Sequence, residues 1–193
     1  MVNKKWVKCM RNKNLTIALY GGSFDPPHIG HKTVIEALDK LDYIDEIVIM
    51  PTFLNPFKST SHAPSELRFK WLKEIFKDFK NVKIDRYEVD KGRQVPSIES
   101  VKHLLKTYKN VYLVIGADNL KSLEDWTNYK ELKELVTFIV ASRDNIIVDK
   151  QFINLDINEK ISSSELRKKI NASMLPAECA IEIEKYYKEN NAR

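Results

Sequence analysis

A chain of 193 residues, 43% hydrophobic and 31% charged, has room for one well-cored globular domain. Its net charge of +5 favours anionic ligands, but the charges are dispersed along amphipathic patterns and form no basic block of the kind that grips nucleic acid. Two cysteines without metal-ligand spacing exclude a disulfide framework and a zinc module; apolar runs such as 111–117 and 135–141 are too short to span a bilayer, so a reducing, cytoplasmic setting is expected.

Residues 1–14 carry Lys4, Lys5, Lys8, Arg11 and Lys13 without a continuous apolar stretch, which reads as a basic leader and not as a secretory signal. The first strand-like run begins about five residues after Met10, making Met10 a candidate native start, and the folded domain is expected over 15–193. Leu15–Tyr20 reads as a strand, and Ile29, Val34, Ile35, Leu38 and Leu41 share one face of the helix after it. Between them stands Gly21-Gly22-Ser23-Phe24-Asp25-Pro26-Pro27-His28-Ile29-Gly30-His31.

Gly21 and Gly22 permit a sharp turn and close approach of a ligand, and Pro27 suits a first helical turn. The helix start then offers free N–H groups and a positive dipole end, where phosphate binds. His28 and His31 project from neighbouring positions toward such a phosphate, and Gly30 leaves room for a nucleotide. Competing readings are a purely structural glycine turn and a histidine metal pair, the latter without a nearby third ligand.

Strands are expected near 15–20, 46–50, 82–88, 111–115 and 136–141, and helices near 28–41, 64–79, 97–108, 128–135, 163–170 and 176–190. This alternation predicts an α/β, Rossmann-like, doubly wound parallel sheet of about five strands, with helices on both faces and a helical C-terminal tail. Ligands of such a fold gather beyond the carboxyl ends of its strands. After the second strand, Pro51 and Pro56 stiffen a loop that carries Lys58, either over the crevice as a phosphate counter-charge or simply into solvent. After the third, Pro96-Ser97 reads as a helix start that Ser97 caps, or one that receives a carboxylate. After the fourth, Gly116 allows close approach of a nucleotide, while Asp118 suits ribose hydroxyls or a helix cap.

Trp126 has the shape to stack on a flat ring, with core packing as its alternative. Trp71 belongs with Leu67, Leu72, Ile75 and Phe79 on a buried helix face. Ser162 and Glu165 have capping-box spacing, and the same helix start, with Ser163, Ser164 and Arg167, reads as a second phosphate site. His62 and His103 have no partner visible in the sequence.

The first of these strings resembles the signature of the nucleotidyltransferase superfamily, which shares H-I-G-H with class I aminoacyl-tRNA synthetases. Ile161-Ser162-Ser163-Ser164-Glu165-Leu166-Arg167 resembles its I-S-S-T-x-I-R element, about 130 residues on and in the family's order. Pro56-Phe57-Lys58 resembles the P-H-K of bacterial nicotinate mononucleotide adenylyltransferases, with Phe57 in place of histidine. Gly116-Ala117-Asp118 resembles their G-A-D. The likeness spans about Leu15 to Ile170.

The resemblance implies adenylyl transfer from ATP to nicotinate mononucleotide, giving nicotinate adenine dinucleotide and pyrophosphate. It implies that Gly21, Gly22 and Ser23 hold the mononucleotide phosphate, and that His28 and His31 act at the ATP α-phosphate. Ser163, Ser164, Arg167 and Lys58 would hold the other ATP phosphates; Gly30, Gly116 and Asp118 would meet nucleotide and ribose. Ser97, where members carry a Thr, and Trp126 would recognise the pyridine ring. Mg²⁺ is expected to arrive with ATP, without protein side-chain ligands. Neither nucleic acid nor membrane is an expected partner, and a homodimer is one option for assembly. Alternatives are a sister enzyme acting on nicotinamide mononucleotide or phosphopantetheine, and a non-catalytic nucleotide- or RNA-binding protein. A synthetase fragment is disfavoured, since no K-M-S-K-S string is present.

Overall fold

In a computed structural model, residues 14–142, 148–157 and 161–191 are described; apart from Asn14, the leader and its candidate start at Met10 lie outside them. Six parallel strands, β1 Thr16–Gly22, β2 Glu46–Pro51, β3 Val82–Ile84, β4 Asn110–Gly116, β5 Thr137–Ser142 and β6 Ile153–Asp156, form one sheet in the order β3-β2-β1-β4-β5-β6. The chain moves outward from β1 in one direction and from β4 in the other. That reversal opens a crevice at the carboxyl ends of β1 and β4.

Strand alternation sends successive side chains to opposite faces, and both faces are covered. Ala18, Ile47 and Ile49 pack on one side with α1 Ile29–Leu38, α2 Ser65–Ile75 and the last helix, whose Ile183 and Tyr187 are buried there. Ile17, Leu19, Val48 and Met50 pack on the other with Ile98, Val101 and Leu104. Those three lie on α4 Ser97–Leu104; the short α3 Tyr87–Lys91 precedes it, and α5 Tyr129–Leu135 follows. Trp71 is fully buried on α2 beside Leu72 and Ile75, as its helical spacing predicts, and truncating it to Ala would cost ~3–5 kcal/mol.

The expected doubly wound parallel sheet is present, its six strands close to the about five expected; β6 is a four-residue edge strand, I-N-L-D, whose alternating half-exposed pattern never forms an apolar run. One expectation is corrected. The segment 82–88 is not one strand, because the Asp85 side chain accepts from the Tyr87 N–H (2.7 Å) and starts α3, which Gly92 ends with φ 61°. Residues 117–125 form a 3₁₀ helix, followed after α5 and β6 by α6 Ser163–Lys168 and α7 Ala180–Asn191.

Candidate functional site

The turn after β1 is built by its glycines and by Phe24. A Cβ at Gly22 would sit 3.2 Å from the Phe24 ring, which is buried at a positive φ of 49° and packs edge-on against Tyr20 and His31. His28 is the N-cap of α1, and its N–H donates to His31 Nδ1 (3.1 Å). With Nδ1 accepting, Nε2 of a neutral His31 carries the proton and becomes a donor. The two imidazoles stack with centroids 3.6 Å apart.

Asp25 anchors this turn. Its buried carboxylate accepts from the N–H groups of His62 (2.9 Å) and Ala63 (3.0 Å) and from the Tyr187 hydroxyl. Burial alone would push this carboxyl up. The Tyr187 and backbone hydrogen bonds, with the Arg68 guanidinium nearby, outweigh it and hold the group below its ordinary value. Arg68, 0% exposed, donates to the carbonyls of Ser23, Thr52 (2.8 Å), Phe53 (2.9 Å) and Ala63 (3.0 Å), binding the loop after β1 and both ends of the loop after β2 to one guanidinium.

The start of α6 docks on the turn after β1. Ser163 Oγ donates to the Pro26 carbonyl (2.9 Å), and Arg167 donates to the Asp25 carbonyl and to Ser164 Oγ (3.0 Å). Ser162 is the N-cap its spacing predicts, with its Oγ accepting from the Glu165 N–H (3.2 Å). The Glu165 carboxylate accepts from the Ser162 hydroxyl (3.0 Å) in place of the backbone bond that would complete a capping box.

Two adjoining chambers, of about 760 and 1090 Å³ counting their open mouths, share Gly21, Gly22, Asn55, Gly116 and Asn119 as a common wall. The larger takes Ser23, His28, Gly30, His31, Lys58, Asp118, Ser163 and Ser164. The smaller takes Ser97, Trp126 and Phe57, the last 63% exposed at the rim. Arg167 lines neither and stands behind Ser164, holding the turn. Burial, and then Arg167, lower the Lys58 ammonium's pKa.

The loop of Lys58 is tied down by Gln94 Nε2, which donates to the Lys58 carbonyl (2.9 Å). At Gly116 a Cβ would fall 2.4 Å from Asp118 Oδ1, so a larger residue there would displace the Asp118 carboxylate.

Ser97 is not a cap: Pro96 holds the N-cap position with extended dihedrals, so Ser97 is the first residue inside α4 and caps nothing. Nor does Asp118 cap a segment starting at Leu120, because the 3₁₀ helix begins at Ala117 after Gly116. His62 has a partner after all, with Nδ1 3.4 Å from Asp25 Oδ2, and His103 stacks on Tyr87 with centroids 3.9 Å apart. Sequence reasoning gave no role to Asp25, Arg68, Glu88 or Tyr187. For Arg68 the signal was present: it shares the buried i, i+4, i+7 face of α2 with Leu72 and Ile75.

A family model described as cytidylyltransferase-like matches residues 19–169. A Sulfurimonas denitrificans protein named probable nicotinate-nucleotide adenylyltransferase is 62% identical over 178 residues, 92% of this chain and 98% of its own length. A Campylobacter jejuni protein (strain 81-176) of the same name is 46% identical over 91% of this chain and 98% of its own. Among solved structures, the Plasmodium falciparum nicotinic acid mononucleotide adenylyltransferase complexed with NaAD shares the fold, with a TM-score of 0.74 at 23% identity over 93% of this chain and 99% of that one.

Proposed function

The chain belongs to the cytidylyltransferase-like family and, within it, to the nicotinate-nucleotide adenylyltransferases, and from that premise we propose how its cleft carries out adenylyl transfer from ATP to nicotinate mononucleotide. The observation that carries this reading is the pair of chambers meeting at Gly21, Gly22 and Gly116, with the histidine pair and both phosphate motifs around one of them. ATP occupies the larger chamber, its α-phosphate at His28 and His31 and its outer phosphates toward Lys58, Ser163 and Ser164. The acceptor occupies the smaller, its phosphate at the Gly21–Ser23 turn and its pyridine ring near Ser97 and Trp126.

The acceptor's phosphate is already mostly ionised at neutral pH, with a second pKa of ~6, so no protein nucleophile is required. One of its oxygens forms a bond to the α-phosphorus, the α–β bridge breaks, and the electron pair leaves on pyrophosphate. His31 Nε2–H donates to the α-phosphate as charge builds there, an interaction worth ~3–4 kcal/mol in comparable sites. Positioning and charge stabilisation carry the remainder.

Among the described residues no three of His, Cys, Asp and Glu lie together as a metal site, and a donor set of backbone N–H, hydroxyl, imidazole and ammonium groups suits a nucleotide that brings its own ion. Mg²⁺ carried on the ATP phosphates would supply charge neutralisation there. No helix among the described residues is long and apolar enough to cross a membrane, and a cytoplasmic setting is part of the same proposal.

The test is pyrophosphate release with ATP, Mg²⁺ and each of nicotinate mononucleotide, nicotinamide mononucleotide and phosphopantetheine. Preference for a pyridine mononucleotide supports the reading, and turnover of phosphopantetheine alone overturns it.

A further inference from the structure

Three buried side-chain atoms that lack a hydrogen-bond partner, Thr52 Oγ1, Glu88 Oε2 and Trp126 Nε1, belong to residues lining the smaller chamber. Buried polar atoms are seldom left unpaired, and a cluster of them around one cavity marks where an occupant supplies the missing partners. Glu88 differs from the other two because its donor or acceptor character depends on a proton. It is 5% exposed and is the one ionisable residue lining this chamber among the described residues.

Its Oε1 accepts from Ser100 Oγ (2.7 Å), and its buried Oε2 has no partner. The charges facing it are like charges, Glu99 on α4 and Asp85 at the end of β3, and Glu99 is itself engaged by Arg93 (2.8 Å) and Lys91 (3.9 Å). The other chamber walls, from β1, β4, the 52–57 loop and the 126–127 segment, contribute no charge.

We infer that Glu88 is the specificity-determining acid of the pyridine chamber. Protonated, its Oε2 donates to the ring carboxylate of nicotinate mononucleotide; ionised, it opposes that carboxylate and accepts instead from the ring amide of nicotinamide mononucleotide. Binding of the acid substrate therefore keeps or takes up one proton on Glu88, and binding of the amide does not. Burial first, and the nearby Glu99 and Asp85, push this carboxyl up to about 7, against the opposing Ser100 hydrogen bond, so the switch falls within the working pH range.

This inference rests on the proposed pyridine mononucleotide substrate, and its experiment separates the two claims. The kcat/KM values for nicotinate and nicotinamide mononucleotides are measured from pH 6 to 8.5 with saturating ATP and Mg²⁺, and their ratio is taken at each pH. Effects common to both substrates, including titration of their phosphates, cancel in the ratio.

In the unmodified protein the acid-over-amide ratio is expected to fall by about tenfold per pH unit above the Glu88 titration, and the change to reside in KM. In E88Q, which keeps an acceptor for Ser100 and presents a permanent donor, the ratio should stay flat. In S100A, which removes the hydrogen bond favouring ionised Glu88, the break should move to higher pH. A flat ratio in the unmodified protein, or an unchanged slope in folded E88Q, overturns the role of Glu88 while leaving adenylyl transfer standing. An unmoved break in S100A also counts against it. Failure to turn over either mononucleotide overturns the activity and this inference together.

Discussion

Tyr187, on the last helix of the fold, donates its hydroxyl hydrogen to Oδ1 of Asp25, 162 residues earlier in the turn after β1. The neighbouring Tyr186 hydroxyl donates to the His62 carbonyl (3.1 Å), and the His62 N–H donates to the other Asp25 oxygen. The C-terminal helix thus packs on the core and also helps set the conformation of the turn after β1, far from its own place in the chain.

Replacing Tyr187 by Phe removes one donor from a buried carboxylate and should cost ~1–3 kcal/mol. Asp25 titrates below its ordinary 3.8, so its contribution is present above that value and lost as pH falls through the lower folded one. Losing the Tyr187 donor raises the folded value, and Y187F should unfold at a higher pH on the acid side. Thermal melts from pH 3 to 7 check both effects; an unmoved acid limb would show that the hydroxyl does not tune Asp25.

Arg68→Lys keeps the charge and loses the planar fork that serves four carbonyls. An ammonium with three donors leaves buried carbonyls unpaired, so a loss of about 3 kcal/mol is expected, or about 6–12 °C in Tm for a chain of this size. Calorimetry is the check, and a change within a degree or two would mean that the loops hold themselves.

Glu88 makes a prediction that needs no substrate. Its folded pKa of about 7 lies above the ordinary 4.5, so its contribution is fully present below pH 4.5 and is lost as pH rises through 7. E88Q should therefore match the unmodified protein at pH 5 and exceed it at pH 8, by on the order of 2–3 kcal/mol. Equal pH dependence of Tm in the two proteins would place the carboxyl in a better-solvated setting.

On the proposed role, in which its Nε2–H acts on charge that develops only in the transition state, His31→Ala should lower kcat by about 10²–10³-fold while KM for both substrates changes little. Equal losses in kcat and affinity would reduce His31 to a binding residue. Steady-state kinetics with each substrate varied in turn distinguish the two.

What could be read from the sequence was what is local in it. The turn, its glycines and the histidine pair fall within eleven consecutive residues, and the alternation of strands and helices carries the sheet. The short α3 was hidden because the pattern through 88 continues that of β3, and a single Asp85 side chain breaks it. Ser97 was misassigned as a cap because Pro96 can hold that position without offering a side-chain acceptor. For Arg68 and Tyr187 the spacing signals burial on an apolar helix face, but it does not reveal which distant loop the polar end reaches.

The most direct measurement is the fate of the ATP α-phosphate, labelled and followed with nicotinate mononucleotide and Mg²⁺. Direct transfer in this cleft predicts that the label passes into nicotinate adenine dinucleotide, with one unlabelled pyrophosphate per product and none of the label on the protein. Label released as AMP, or held covalently by the protein, would contradict it.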